Sequence, residues 1–196
     1  LYRTAQRDNR VLRPINYPPG TPGKGFGIYE TRDGRRVLVA NVMCRLFMEL
    51  LDDPFQALAA LLDRYRLMRD ADAIVLDVHG EASSEKQALA HFVDGRVSAA
   101  LGTHTHVPTA DTWVLPKGTA YQTDIGMTGD YDSVIGMLKE GSMARFLTKG
   151  ERIRLEPAEG EGTLCAALVV TDDKTGLAKK IQPLRLGGHL PEVMPK

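Results

Sequence analysis

Three of the chain's 5 histidines fall in two short stretches, and they are the residues best suited to chemistry. His104 and His106 lie in Leu101-Gly102-Thr103-His104-Thr105-His106, directly after an apolar run over residues 97–101. His79 follows a second apolar run, residues 73–78. Imidazole nitrogen suits zinc, iron, copper and nickel. On an extended backbone, residues i and i+2 point to the same side, which would aim His104 and His106 at one metal cluster. Both runs read as buried strands. Open α/β sheets collect their ligands at the carboxyl ends of such strands. The pattern predicts a metal site where two neighbouring strands end.

The elements that must position these histidines follow from the rest of the sequence. Residues 16–25 are rich in Pro and Gly and read as irregular. Strands over 26–30 and 36–41 flank Arg32-Asp33-Gly34, a hairpin signal. Asp53 then caps a helix with Pro54 in its first turn, and Leu58, Leu61, Leu62 and Tyr65 form its apolar stripe. Ser83 or Ser84 is expected to cap a second helix carrying Leu89, His91 and Phe92. Short strands are expected at 112–115 and 119–123, and a helix at 139–147. Strands at 152–155, 163–171 and 178–184 look antiparallel, and the proline-containing tail, 187–196, is expected to fray. The pattern by itself gives an α/β or α+β fold. It shows one domain over residues 1–186, a tail over 187–196, and no repeat.

A chain of 196 residues with 43% hydrophobic content can bury a substantial core and is not disordered. Lys+Arg and Asp+Glu are both 25, so there is no basic footprint for duplex DNA. No apolar run approaches the roughly 20 residues of a membrane span. The chain reads as cytoplasmic, which disfavours a disulfide between Cys44 and Cys165. Both cysteines read as buried free thiols.

Two motifs carry a resemblance. They are Asp77-Val78-His79-Gly80-Glu81-Ala82-Ser83-Ser84-Glu85-Lys86 and Gly102-Thr103-His104-Thr105-His106-Val107. Together they resemble the calcineurin-like metallophosphoesterases, and within them the bacterial YmdB-like phosphodiesterase family. Supporting stretches are Leu12-Arg13-Pro14, Asn16-Tyr17-Pro18-Pro19-Gly20, Leu115-Pro116-Lys117-Gly118, Thr123-Asp124-Ile125-Gly126-Met127 and Tyr131-Asp132-Ser133. The resemblance runs from about Arg13 to about Leu186. Two residues depart from it: Cys44 stands where the family has Gly, and Ser83 where it has Thr. A larger departure lies at the start. The family's opening strand with a metal-binding Asp, its Glu-Asn pair and its Gly-Asn-His motif have no counterpart here. The chain therefore reads as the C-terminal portion of a longer protein, with half of the metal site. The family's catalytic histidine belongs to the other half, so no catalytic residue is assigned among these 196.

The resemblance implies a four-layered αββα sandwich, with two sheets face to face and helices outside. It implies a metal-dependent phosphodiesterase acting on cyclic nucleotides such as 2′,3′-cyclic ones, with two divalent ions, iron or manganese foremost and zinc as an alternative. By the family's pattern His79 and His104 hold one metal and His106 the other. RNA as a substrate and a homo-oligomer both stay open. Asp77 and Glu81 flank His79 and could orient it, because ligand histidines donate their second N–H to such groups. Glu81, Glu85 and Lys86 could equally be helix-start and surface charges. The Asp124 and Tyr131 stretches could shape a pocket or form tight turns. Arg13 and Asn16 read as surface residues, and His91 and His189 are left out of the site. Two other functions remain: a non-catalytic regulatory or remnant protein, and a mononuclear zinc hydrolase using the three histidines.

Overall fold

A computed structural model describes residue 4 and residues 7–147 and 153–196. Its first sheet begins with the expected hairpin, β1 (Phe26–Glu30) against β2 (Arg36–Met43). The turn between them needs Gly34, whose φ of 82° suits a residue without Cβ. β2 then runs parallel to β3 (Ala73–His79), β3 to β4 (Ala99–Thr103), and β4 to β6 (Ala120–Gln122). β5 (Trp113–Val114) closes the far edge antiparallel to β6, giving the order β1-β2-β3-β4-β6-β5. A second sheet holds β7 (Gly129–Asp130), β8 (Gly162–Thr171) and β9 (Ala178–Leu186) in that order.

The parallel strands are linked by helices because a parallel crossover needs a long connection. α1 (Pro54–Arg64) joins β2 to β3, and α2 (Ser83–Phe92) joins β3 to β4. Alternation sends Leu38, Ala40 and Val42 from β2 and Ile74, Leu76 and Val78 from β3 to one face. There they pack with Leu58, Leu61 and Leu62 of α1 and Leu89 and Ala90 of α2. The second sheet covers the other face through Ala99, Ala120, Ala178 and Ile181, with Leu101, Val114, Ala167 and Val169 around them. Helices, sheet and second sheet thus follow the order of a metallophosphoesterase sandwich. On β8, Leu164, Leu168 and Val170 are exposed.

Asp53 caps α1 as its sequence predicts, its Oδ1 accepting from the backbone N–H of Phe55 at 2.8 Å and of Gln56 at 3.2 Å. Asp53→Ala is therefore expected to cost about 0.5–2 kcal/mol in urea unfolding. An unchanged midpoint would show that water replaces the cap without loss.

Several local expectations are corrected. α2 has Ala82 at its N-cap with no side-chain bond, so neither Ser83 nor Ser84 caps it. β4 starts at Ala99 and runs on to Thr103, two residues later than the apolar run suggests. Ile153 to Leu155 are not in a strand, and Arg152 lies outside the described residues. The tail folds back, with Arg185 and Val193 exchanging backbone bonds at 2.9 and 3.0 Å. Asn16 is buried, not a surface residue. Its amide bonds both the N–H and the carbonyl of Met43, at 3.0 and 2.8 Å, in the place of a further strand. The helix α3 (Lys139–Leu147) has the bounds its spacing predicts. Among the described residues no helix is long and apolar enough to cross a membrane.

Candidate metal centre

β3 and β4 end side by side, with His79 opposite Thr103 in the parallel register. Alternation along β3 leaves Asp77 and His79 on the face away from the helices. The backbone leaves β4 at Thr103, and both histidines beyond it have positive φ, 118° at His104 and 66° at His106. The same-side rule for an extended chain therefore fails here. His104 turns to His79, their rings edge to face with centroids 4.9 Å apart. Its Nδ1 lies 3.1 Å from His79 Nε2, and its Nε2 lies 3.1 Å from Glu81 Oε2. His106 instead donates Nδ1–H to the Ile135 carbonyl at 2.8 Å. The structure brings His79 and His104 into contact and anchors His106 on a different loop.

The two acidic neighbours divide their work. Glu81 contacts His104 and not His79. Asp77 reaches His79 through Thr103, whose hydroxyl lies 2.6 Å from Asp77 Oδ1 and 2.9 Å from His79 Nδ1. Asn41 of β2 donates to the other oxygen of Asp77 at 2.6 Å. Burial, and next the neighbouring His104, hold His79 below the usual imidazole range, which favours the neutral ring that metals bind.

Beneath the histidine loop lies a charge pair that local sequence does not announce. Lys86 and Asp124 are 0% and 1% exposed, with Nζ 3.4 Å from Oδ2. Lys86 also donates to the Thr103 carbonyl at 3.2 Å. Asp124 accepts from Thr105 N–H at 2.8 Å and from Gly126 N–H at 2.9 Å. One buried pair so ties α2, the end of β4 and the loop after β6 around the histidines. Lys86 is thus no surface charge, and Asp124 is no mere turn residue. A signal was present: Lys86, Leu89, Ala90 and Val93 share helical spacing, and all are buried. Tyr131 adds a second brace, donating to the His106 carbonyl at 3.0 Å and accepting from Met127 N–H at 2.9 Å. Asp132 pairs with Lys139 at the surface. Arg13 is held by the carbonyls of Pro14 and Thr21.

Cys44 extends the ladder beside the site, its N–H donating to the His79 carbonyl at 2.8 Å. Gly80 makes room for it, since a Cβ there would stand 2.3 Å from Cys44 Cβ. Burial, with the Glu85 carboxylate adding to it, pushes the Cys44 thiol up to about 12, so it is inert at neutral pH. Both cysteines are buried and unpaired.

The donors suit a divalent ion. His79 and His104 offer imidazole nitrogens 3.1 Å apart, and two donors on one metal at about 2.0–2.1 Å stand roughly 3 Å from each other. Glu81 takes the far ring nitrogen of His104, the place of an outer partner that orients the ring rather than of a third donor. Among the described residues no three His, Cys, Asp or Glu side chains group to hold a metal by themselves.

Two sheets face to face, with helices on one side and histidines where parallel strands end, define a metallophosphoesterase-type fold. Residues 1–184 match the model of the YmdB-like protein family, and the chain belongs to that family. It is 46% identical over 172 residues to the 2′,3′-cyclic-nucleotide 2′-phosphodiesterase of Bacillus subtilis strain 168, covering 88% of this chain and 64% of that protein. The chain thus spans just under two thirds of that curated relative. The crystal structure of a hypothetical protein from Thermus thermophilus superposes with a TM-score of 0.86 at 48% identity, over 96% of this chain and 71% of that one. A crystal structure described as a novel phosphatase, from Mycoplasma pneumoniae, gives 0.81 at 29% identity, over 95% and 66%.

Proposed function

We propose that this chain carries one half of the metal site of a phosphodiesterase acting on cyclic nucleotides, 2′,3′-cyclic ones foremost. The observation that carries this reading is the contact of His79 Nε2 with His104 Nδ1 where two adjacent parallel strands end, with Glu81 behind. The named activity of the Bacillus subtilis relative supports the substrate class. His79 and His104 would hold one divalent ion and His106 a second, iron or manganese foremost, with zinc as the alternative. When bound, such a pair of ions lowers the pKa of water, offsets the phosphate charge and stabilises the leaving oxygen.

The chain's own part is to fix donors. Asp77 and Thr103 orient His79. The Lys86–Asp124 pair and Tyr131 hold the loop that carries His104 and His106. His106 keeps Nε2 free because Nδ1 is committed to Ile135. Among the described residues no three such side chains group together, which speaks against a mononuclear zinc site built from all three histidines. Two metals need more donors than these three histidines, so the 196 residues alone are expected to turn over slowly.

Manganese titration and hydrolysis of a generic phosphodiester and of a 2′,3′-cyclic nucleotide test the reading. His104→Ala in the intact protein is expected to lower manganese affinity by more than about 100-fold, beyond the 10–100-fold cost of losing an outer partner. Activity should fall with it. Full activity of the variant would overturn the assignment. Metal binding by the parent without hydrolysis would favour a regulatory protein instead.

A further inference from the structure

Three neighbouring strands each place one polar side chain in a row beside His79. Asn41 stands opposite Asp77 in the β2–β3 register, and Thr103 stands opposite His79 in the β3–β4 register. Asn41 Nδ2 donates to Asp77 Oδ2 at 2.6 Å, which leaves Oδ1 turned to Thr103. A carboxylate only accepts, and a hydroxyl has a single proton. Thr103 gives that proton to Asp77 Oδ1 at 2.6 Å. Only lone pairs then remain on Thr103 Oγ1 for His79 Nδ1, 2.9 Å away. The hydrogen between them must come from the imidazole. A neutral imidazole carries one N–H, so Nε2 is left bare. That bare nitrogen is the one facing His104.

We propose that Asn41, Asp77 and Thr103 are positioning residues forming a one-way hydrogen-bond relay that sets the His79 tautomer with Nδ1–H and a free Nε2. The relay deepens the reading of His79 as a metal-holding residue, and rests on it only for its use. None of the three need touch the metal or the substrate. Their polarity matters more than their charge. An amide in place of the Asp77 carboxylate can present its NH₂ to Thr103 while its oxygen still accepts from Asn41. Thr103 would then donate toward His79 Nδ1, and the proton would move to Nε2.

The test is the tautomer itself, read from the ring ¹⁵N shifts of His79 in the metal-free 196-residue chain. The parent and Thr103→Ser are expected to show Nδ1–H. Asp77→Asn is expected to show mainly Nε2–H. Thr103→Val, which removes the partner altogether, should lose the strong preference for Nδ1–H. Nδ1–H retained in both Asp77→Asn and Thr103→Val would overturn the relay. Circular dichroism and melting temperature establish that each variant is folded, and a destabilised variant with an unmoved tautomer counts against the relay. In the intact protein, a reversed tautomer should lower manganese affinity about 10–100-fold. A reversed tautomer with unchanged affinity upholds the relay and refutes the metal-holding role of His79.

Discussion

Lys86→Met is expected to destabilise the chain by about 3–5 kcal/mol, the cost of stripping one partner from a buried ion pair. Both side chains are out of water, and methionine of similar length leaves Asp124 with no counter-charge. The Thr103 carbonyl also loses one of its two donors at the end of β4, keeping only the Gly80 N–H at 3.2 Å. The double variant Lys86→Met, Asp124→Asn should recover part of that loss, because the uncompensated charge is gone while one backbone N–H loses its acceptor. It should still bind manganese more weakly than the parent, since asparagine cannot accept from both Thr105 and Gly126. Urea denaturation of the three proteins measures the first effect and metal titration the second. A single-variant loss below about 1 kcal/mol, as for an exposed pair, would mean that the lysine is dispensable to the loop.

Gly102→Ala is expected to be as severe. A Cβ on Gly102 would lie 1.6 Å from the Thr123 carbonyl oxygen and 2.4 Å from its carbon. Those are backbone atoms, and Gly102 O is bonded to Ile125 N–H at 2.9 Å, so the two segments cannot part without breaking the ladder. The cost should reach or exceed about 3 kcal/mol, the upper end for overpacking. At about 2–4 °C per kcal/mol, the melting temperature should fall by roughly 6–12 °C. Calorimetry checks this, and an unchanged melting temperature would show that the loop after β6 yields freely. Asp124 moves with Thr123, so the histidine loop should loosen too.

The sequence makes visible what local rules decide. β3 alternates buried Ile74, Leu76 and Val78 with Asp77 and His79, and period-2 patterning exposes that directly. Asp53-Pro54 marks the start of α1 by cap chemistry. The meeting of His79 and His104 follows from two strand ends being neighbours. What stays hidden depends on distant partners. Lys86 and Asp124 are 38 residues apart, and only tertiary packing joins them. Thr103 reads as a small residue before a histidine until the register sets it opposite His79. The turn of His106 toward Ile135 is unreadable because the positive φ values after Thr103 break the alternation on which the expectation rests. The tail departs from expectation for a related reason: its prolines suggest fraying, but the pairing of Arg185 with Val193 is set by β9.

The backbone at His104 and His106 has a consequence for how such a chain changes over time. Side chains with a Cβ are uncomfortable at φ of 118° and 66°, and each such residue costs of order 1–3 kcal/mol. Glycine would sit there with less strain. Selection for heat tolerance alone would therefore push both positions away from histidine. Glycine at either position would relieve that strain, so the folding preference of this backbone gives no reason of its own for an imidazole there.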